Sequence, residues 1–216
     1  ALLVEDLEAE FRFWGGDKMQ AVGGTLVKHY KELAFMGFWE VFVNLFTILK
    51  NISFCKKNIL GFNPDAVIYV DYPGFNLRIA AWAKKQGFKN LYYISPQIWA
   101  WKENRISKIK RDLDALYVIL PFEEPYYKDK HNFKVQFVGN PLVDVIQESL
   151  KENDTFRTDQ KLDANAPIIA LLPGSRKQEI IKMMPTFIEV IELFPQYKFI
   201  IAAAPGLDFE WYQQFL

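Results

Sequence analysis

Asp71 is the side chain best placed in the sequence to do acid–base chemistry. It follows Ala66–Val70 (AVIYV), a short apolar run of β-formers bounded by Asn63-Pro64-Asp65 and by Tyr72-Pro73-Gly74. That pattern predicts a parallel strand buried on both faces. In open parallel sheets, ligands bind outside the strand carboxyl ends, where the strand order reverses. A carboxylate there can take a proton from a substrate hydroxyl; equally, it can cap the Pro-Gly turn and touch no ligand.

Leu172-Pro173-Gly174-Ser175-Arg176 links a second apolar run to a helical one. Gly174 lets a ligand approach the backbone, and the helix start offers free N–H groups to an anion. Ser175 can cap that helix, and Arg176 can bond a diphosphate through two parallel donors. The same residues also suit an ordinary βα turn, and the loop lacks the Gly-x-x-x-x-Gly-Lys of a Walker A motif. In Ser95-Pro96-Gln97-Ile98-Trp99-Ala100-Trp101-Lys102 two tryptophans can wall a pocket with Ser95 and Gln97 as polar contacts, or can pack the loop onto the sheet. Lys102, Arg105, Lys108, Lys110 and Arg111 follow, with Glu103 the one acid among them. This stripe suits a phosphate-bearing substrate, an anionic membrane surface or plain solvent. It lacks the aromatic interleaving of a nucleic-acid binder.

These groups need an α/β scaffold. Strands are predicted at Ala66–Val70, Leu91–Ile94, Ala115–Leu120 and Val135–Val138, each separated by a helical stretch long enough for a crossover, giving a sheet wound on both faces. Asn76 is expected to cap the first of these helices and Gly87 to close it. Lys151–Pro167 is polar and reads as a linker with a helical turn at most. A new unit then starts with strand Ile168–Leu172, a helix to about Phe194 and strand Phe199–Ala203. Met36–Phe54 is the most apolar segment. Met36, Phe38, Trp39, Val41, Phe42, Leu45, Phe46 and Leu49 spread round most of a helix, more than one sheet contact needs. They predict burial in the core, cover by another subunit, or a dip into a membrane interface.

Composition excludes several classes. Of the 216 residues, 50% are hydrophobic, so a sizeable core is available and disorder is excluded. Twenty-six basic residues balance 26 acidic ones, which argues against a wholly basic nucleic-acid binder. Cys55 is the single cysteine and the two histidines, His29 and His131, lie far apart, so neither a disulfide framework nor a zinc site is expected. No apolar run reaches the ~20 residues of a membrane-spanning helix. The chain opens without an initiator Met and closes inside an amphipathic segment, and is therefore read as a piece of a longer protein.

Seven motifs in order carry a resemblance. They are Gly15-Gly16-Asp17-Lys18-Met19-Gln20, Glu32-Leu33-Ala34-Phe35-Met36-Gly37-Phe38-Trp39-Glu40-Val41, Asp71-Tyr72-Pro73-Gly74-Phe75-Asn76, Tyr93-Ile94-Ser95-Pro96-Gln97-Ile98-Trp99-Ala100-Trp101, Leu120-Pro121-Phe122-Glu123, Phe137-Val138-Gly139-Asn140-Pro141-Leu142 and Leu171-Leu172-Pro173-Gly174-Ser175-Arg176. The series resembles the lipid-A-disaccharide synthase family, inverting glycosyltransferases of the GT-B fold. The resemblance implies two Rossmann-like domains facing a cleft. Residues 1–157 would form a nearly complete membrane- and acceptor-side domain whose first strand precedes Ala1, and 158–216 the start of a UDP-sugar donor domain. The implied reaction transfers 2,3-diacylglucosamine from its UDP derivative to 2,3-diacylglucosamine 1-phosphate, forming a β-1,6 bond and releasing UDP. No metal or other cofactor is implied. The partners are acylated glucosamine lipids, UDP and the inner face of the cytoplasmic membrane, where the protein would sit peripherally.

By the same resemblance Asp71 is the general base and Gly174, Ser175 and Arg176 face the donor diphosphate. Asn76, Ser95, Gln97, Trp99, Trp101 and Asn140 line the acceptor cleft, while the apolar positions of Met36–Leu49 contact membrane or acyl chains. Two departures limit the carry-over. Tyr72 and Gly74 stand in a motif that many members write Asp-Ala-Pro-Asp-Phe-Asn, so its second carboxylate is missing. Asn140 stands where many members have His, and it can hydrogen-bond but not titrate near neutral pH. Another UDP-sugar enzyme of this fold, such as a UDP-N-acetylglucosamine 2-epimerase, or a non-catalytic membrane-binding module, are the alternatives.

Overall fold

The computed structural model describes residues 5–30, 45–152, 155–163, 165–204 and 206–215. The chain divides into two compact units, one ending at Val143 and the other starting at Asp144.

The first unit opens with β1 (Arg12–Gly15), α1 (Asp17–Ala21) and β2 (Thr25–His29), whose strands pair in parallel. The Gly15-Gly16 motif lies at the end of β1, and side chains crowd both glycines. A Cβ on Gly15 would lie 2.5 Å from Met19 Sδ, and one on Gly16 would lie 2.5 Å from the Tyr30 ring. After α2 (Leu45–Phe62) come β3 (Ala66–Val70), α3 (Pro73–Lys85), β4 (Lys89–Tyr93), α4 (Ile106–Asp112), β5 (Ala115–Val118), α5 (Glu123–Pro125) and β6 (Gln136–Phe137), and α6 (Pro141–Glu152) carries the chain across the division into the second unit. Helix α3 ends as its sequence predicts. Gly87 (φ +88°) is its left-handed terminator, and the N–H groups of Gly87 and Phe88 donate to the carbonyls of Lys84 and Ala83.

Strands β3 to β6 form one parallel sheet in the order β3-β4-β5-β6. This order corrects the expectation of a sheet wound on both faces. Right-handed crossovers between strands laid down in sequence put every connecting helix on the same side, and among the described residues the order of these four strands shows no reversal. Burial follows suit. Tyr69, Tyr92 and Leu116, aligned across the register, are buried with Ile79 and Ala80 of α3 and Ile109 of α4. On the opposite face Ile68 and Val70 are 46% and 48% exposed, so β3 is not buried on both faces. A buried amide, Asn90, ties this layer together. It accepts from Tyr69 Oη at 3.0 Å and donates to the Ala80 and Asp112 carbonyls at 2.9 and 2.8 Å. A buried polar group is tolerated when all its bonds are made.

In the second unit the polar stretch contains one helical turn, α7 (Phe156–Asp159), where Arg157 donates to the carbonyls of Asp163 and Ala166. Strands β7 (Ile168–Leu171) and β8 (Lys198–Ile201) pair in parallel around α8 (Lys177–Leu193), and α9 (Phe209–Tyr212) follows. Ile180, Met184 and Tyr212 form its core.

Candidate active site

The carboxyl ends of β3 to β6 lie along one edge of the sheet, because the strands are parallel and nearly in register. Asp71 leaves β3 in the left-handed region (φ +46°), and so does Tyr72 (φ +45°). Neither conformation is comfortable for a residue with a Cβ, at roughly 1–2 kcal/mol each. Neighbouring bonds hold Asp71 there. Its N–H donates to the Tyr93 carbonyl at 3.1 Å, and its carbonyl accepts from Asn76 Nδ2 at 2.7 Å and from Tyr92 Oη at 2.5 Å. Asn76 also donates to the Val70 carbonyl at 3.2 Å.

Asn76 is thus not the helix cap. Pro73 starts α3, as its fixed φ favours, the cap position falls to Tyr72, and Asn76 reaches back from the first turn to fasten the strand end. The Asp71 carboxylate is exposed and, among the described residues, makes no hydrogen bond. It therefore does not cap the turn. Burial pushes the Tyr92 phenol up, and the Asp71 carboxylate adds to that effect while Asn76 and Arg105 oppose it.

The loop after β4 is pinned from beneath. Ile94 turns it through φ +60°, an outlying conformation for a β-branched residue. Ser95 is 3% exposed and donates to Glu123 Oε1 at 2.8 Å, while Tyr127 Oη donates to the Pro96 carbonyl at 3.2 Å and Ile98 is buried. Glu123 is itself 1% exposed and accepts through Oε2 from the N–H groups of Leu120 and Ile119 at 2.9 and 3.2 Å. One carboxylate thus fastens the loop after β4 to the loop after β5. Composition does not single it out, although it is the last residue of Leu120-Pro121-Phe122-Glu123. A buried acid just after an apolar strand was the available signal.

With Ser95, Pro96 and Ile98 turned inward, Gln97, Trp99 and Trp101 are left on the surface. Trp99 packs edge-on against Phe122 at 4.9 Å between ring centroids. Trp101 carries Lys102 Nζ 4.2 Å and Arg105 Cζ 5.3 Å from its ring centre. Of the other basic-stripe residues, Lys110 donates to the His131 carbonyl and Arg111 pairs with the buried Asp112 at 2.7 Å. Asn140, beyond β6, accepts from the Leu142 N–H at 3.0 Å and so caps α6. Three strand spacings separate it from Asp71, about 14 Å across the sheet, so the two can touch different parts of one extended ligand but not the same group.

The second unit carries the Pro-Gly-Ser-Arg loop between β7 and α8. Gly174 has φ +106°, a conformation that demands glycine, and a Cβ there would crowd Glu179, lying 2.7 Å from its Oε2 and 3.0 Å from its Cβ. Arg176, not Ser175, occupies the cap position of α8. The Ser175 N–H points at Glu179 Oε2 (3.3 Å) and Arg176 Nη1 donates to Glu179 Oε1 (2.8 Å). The loop thus already gathers two acceptor oxygens at a helix start, the kind of atom a phosphate presents.

Of the apolar-segment positions, Met36, Phe38, Trp39, Val41 and Phe42 lie outside the described residues, as does the side chain of Leu45. Phe46 and Leu49 are exposed on α2, the former at 81%. Among the described residues no helix is long and apolar enough to cross a membrane, and no group of three or more His, Cys, Asp or Glu side chains could hold a metal ion.

Comparison with known proteins gives one consistent result. A family described as lipid-A-disaccharide synthetase matches residues 1–204. The chain is 40% identical over 208 residues to the lipid-A-disaccharide synthase of Trichlorobacter lovleyi, covering 95% of this chain and 52% of that protein. It is 39% identical over 206 residues to the Coxiella burnetii synthase, covering 94% and 54%, and 40% identical over 218 residues to synthase 1 of Legionella pneumophila, covering 96% and 56%. The chain spans about half the length of these curated relatives. With a family match over nearly all of its residues, the chain belongs to the lipid-A-disaccharide synthetase family.

Proposed function

We propose that the protein containing this chain is a lipid A disaccharide synthase, a glycosyltransferase of lipid A synthesis. It joins 2,3-diacylglucosamine from its UDP derivative to 2,3-diacylglucosamine 1-phosphate. The acceptor 6-hydroxyl gives its proton to Asp71 as its oxygen attacks C1 of the donor sugar. The bond from C1 to the diphosphate breaks, UDP leaves with the electron pair, and the anomeric centre inverts to a β-1,6 linkage. Arg176 and the N–H groups after Gly174 stabilise the charge that grows on the leaving diphosphate, the main electrostatic task of the step. The reading assigns no metal or other cofactor to it.

In this reading residues 1–157 hold the acceptor, with Asn76, Gln97, Trp99, Trp101 and Asn140 along the cleft and Ser95 shaping its loop. Residues 158–216 begin the donor side. Met36–Leu49 rests on the inner face of the cytoplasmic membrane, for which the exposed Phe46 and Leu49 provide apolar surface. The observation that carries the chemistry is Asp71, whose backbone is locked by Tyr92 and Asn76 while its carboxylate stays accessible and, among the described residues, unbonded. The test follows UDP release and disaccharide formation by the full-length protein and its Asp71→Asn variant. A loss of at least about 100-fold is expected. Equal activity in both would move the base elsewhere, and no disaccharide from either would sink the synthase reading in favour of another UDP-sugar enzyme.

A further inference from the structure

Two cations sit against one exposed indole on the same sheet edge as Asp71. The loop that carries Trp101 is fixed by Ser95, Pro96 and Ile98, yet it leaves that ring 58% exposed. Lys102 and Arg105 both lie over the ring, and Lys102 is held in the left-handed region at φ +55°. Among the described residues neither is ion-paired with a carboxylate. Glu103, between them in sequence, is turned away to Lys130 at 2.7 Å and His131 at 3.2 Å. Two like charges converging on one ring repel each other, and a single anion placed between them relieves that repulsion. The cluster belongs to the catalytic edge, since Arg105 and Asp71 both act electrostatically on the Tyr92 phenol.

We propose that Trp101, Lys102 and Arg105 form the seat for the phosphate monoester of the acceptor sugar, an assignment that rests on the synthase reading above. A phosphate monoester carries between one and two negative charges near pH 7, which matches two uncompensated cations. The indole offers its face to the sugar ring while its cationic neighbours hold the phosphate. The site fixes the acceptor at its phosphate end, so that a hydroxyl at the far side of the sugar can be presented to Asp71. Lys108, Lys110 and Arg111 have no part in it.

The test uses the full-length protein and the double variant Lys102→Gln/Arg105→Gln. The substrates are 2,3-diacylglucosamine 1-phosphate and its counterpart lacking the phosphate, at fixed UDP-sugar. Wild type should prefer the phosphorylated acceptor in kcat/KM by about 100-fold, roughly tenfold for each charge-assisted contact. In the double variant that ratio should fall toward 1, with the KM for the UDP-sugar unmoved. The charge-keeping exchange Lys102→Arg/Arg105→Lys should retain most of the preference, which separates loss of charge from misfolding. In parallel, calorimetric titration with glucosamine 1-phosphate should show binding that the double variant weakens at least tenfold, while glucosamine binds neither protein measurably.

Equal losses on both acceptors, a raised donor KM, or an intact ratio would each overturn the site. So would a defect confined to binding of phosphatidylglycerol vesicles, which would assign the cations to the membrane. If wild type makes no disaccharide but binds glucosamine 1-phosphate through these residues, the synthase reading fails and the phosphate site stands. Disaccharide formed with an undiminished ratio in the variant fails the site and keeps the synthase.

Discussion

Glu123 provides the sharpest test of how the loops are held. Its two carboxylate oxygens take three donors: the Ser95 hydroxyl at 2.8 Å and the N–H groups of Leu120 and Ile119 at 2.9 and 3.2 Å. Glu123→Ala takes the acceptor from all three, leaving the buried Ser95 hydroxyl and the part-buried N–H groups of Ile119 and Leu120 unpaired, at about 1–3 kcal/mol for each that is fully buried and less for the others. The long contact to Ile119 and local relaxation bring the expected total to about 4 kcal/mol, a large share of the roughly 5–15 kcal/mol of a typical domain. Glu123→Gln retains one acceptor oxygen and turns charge-assisted bonds into neutral ones, for a loss of about 2 kcal/mol. Ser95→Ala removes the bond to Glu123 and should cost about 1 kcal/mol. Urea unfolding of the two conservative single variants and their double variant closes a cycle whose coupling should be about 1 kcal/mol. A Glu123→Gln variant within about 0.5 kcal/mol of wild type, or a coupling near zero, would refute the view that this carboxylate joins the two loops.

Three further perturbations follow from the same geometry. Asn76→Ala removes the donors to the Val70 and Asp71 carbonyls and should cost about 1–2 kcal/mol; because it frees the strained Asp71 backbone, kcat of the full-length enzyme should fall further than that of a surface Lys85→Ala control. Gly174→Ala puts a methyl 2.7 Å from Glu179 Oε2 at a φ of +106°, so it should raise the KM for the UDP-sugar at least tenfold while leaving the acceptor KM within twofold, as steady-state kinetics would read. Burial pushes the Cys55 thiol from 9.0 up to about 12, with Lys56 opposing. A folded-state pKa raised in this way stabilises the fold fully below pH 9 and loses that contribution as pH climbs toward 12. Cys55 should accordingly resist alkylation until the protein unfolds, and denaturation midpoints should drop above pH 9 by less in Cys55→Ala than in wild type.

What could be read from residues alone depended on how local the cause was. The strands at 66–70 and 168–171, the Gly87 terminator and the polar stretch before Pro167 declare themselves through apolar runs and turn residues, which act over a few positions. The one-sided burial of the sheet was not legible in this way. The run AVIYV is equally apolar on both faces, and only the strand order reveals that the connecting helices share one side. Asn76 and Ser175 misled for a related reason. Both residue types favour cap positions, but Pro73 moved the helix start ahead of Asn76, and the extended backbone at Arg176 moved it past Ser175. Glu123 was hidden because its value lies in three partners from two loops, one of them 28 positions away.

The strained residues give the edge its logic. Of the seven non-glycine residues with positive φ among the described ones, four (Asp71, Tyr72, Ile94 and Lys102) lie on the loops that leave β3 and β4, while Asn63, Asn132 and Lys161 lie elsewhere. Backbone strain of this kind costs of order 1–3 kcal/mol per residue and persists only where neighbouring structure over-determines it. Here the determinants are visible: Tyr92 and Asn76 grip the carbonyl of Asp71, and Glu123 and Tyr127 grip the loop that follows Ile94. A loop shaped only for packing would turn its aromatic side chains inward. This one buries Ser95 and Ile98 and leaves Trp99 and Trp101 outward, with Lys102 and Arg105 against the Trp101 ring. Stabilising bonds are thus directed at backbone and small side chains, while the groups able to meet a sugar, a phosphate or a proton are left with unused capacity. That division between what is gripped and what is presented is the physical argument for reading the edge as a site rather than as a set of ordinary βα turns.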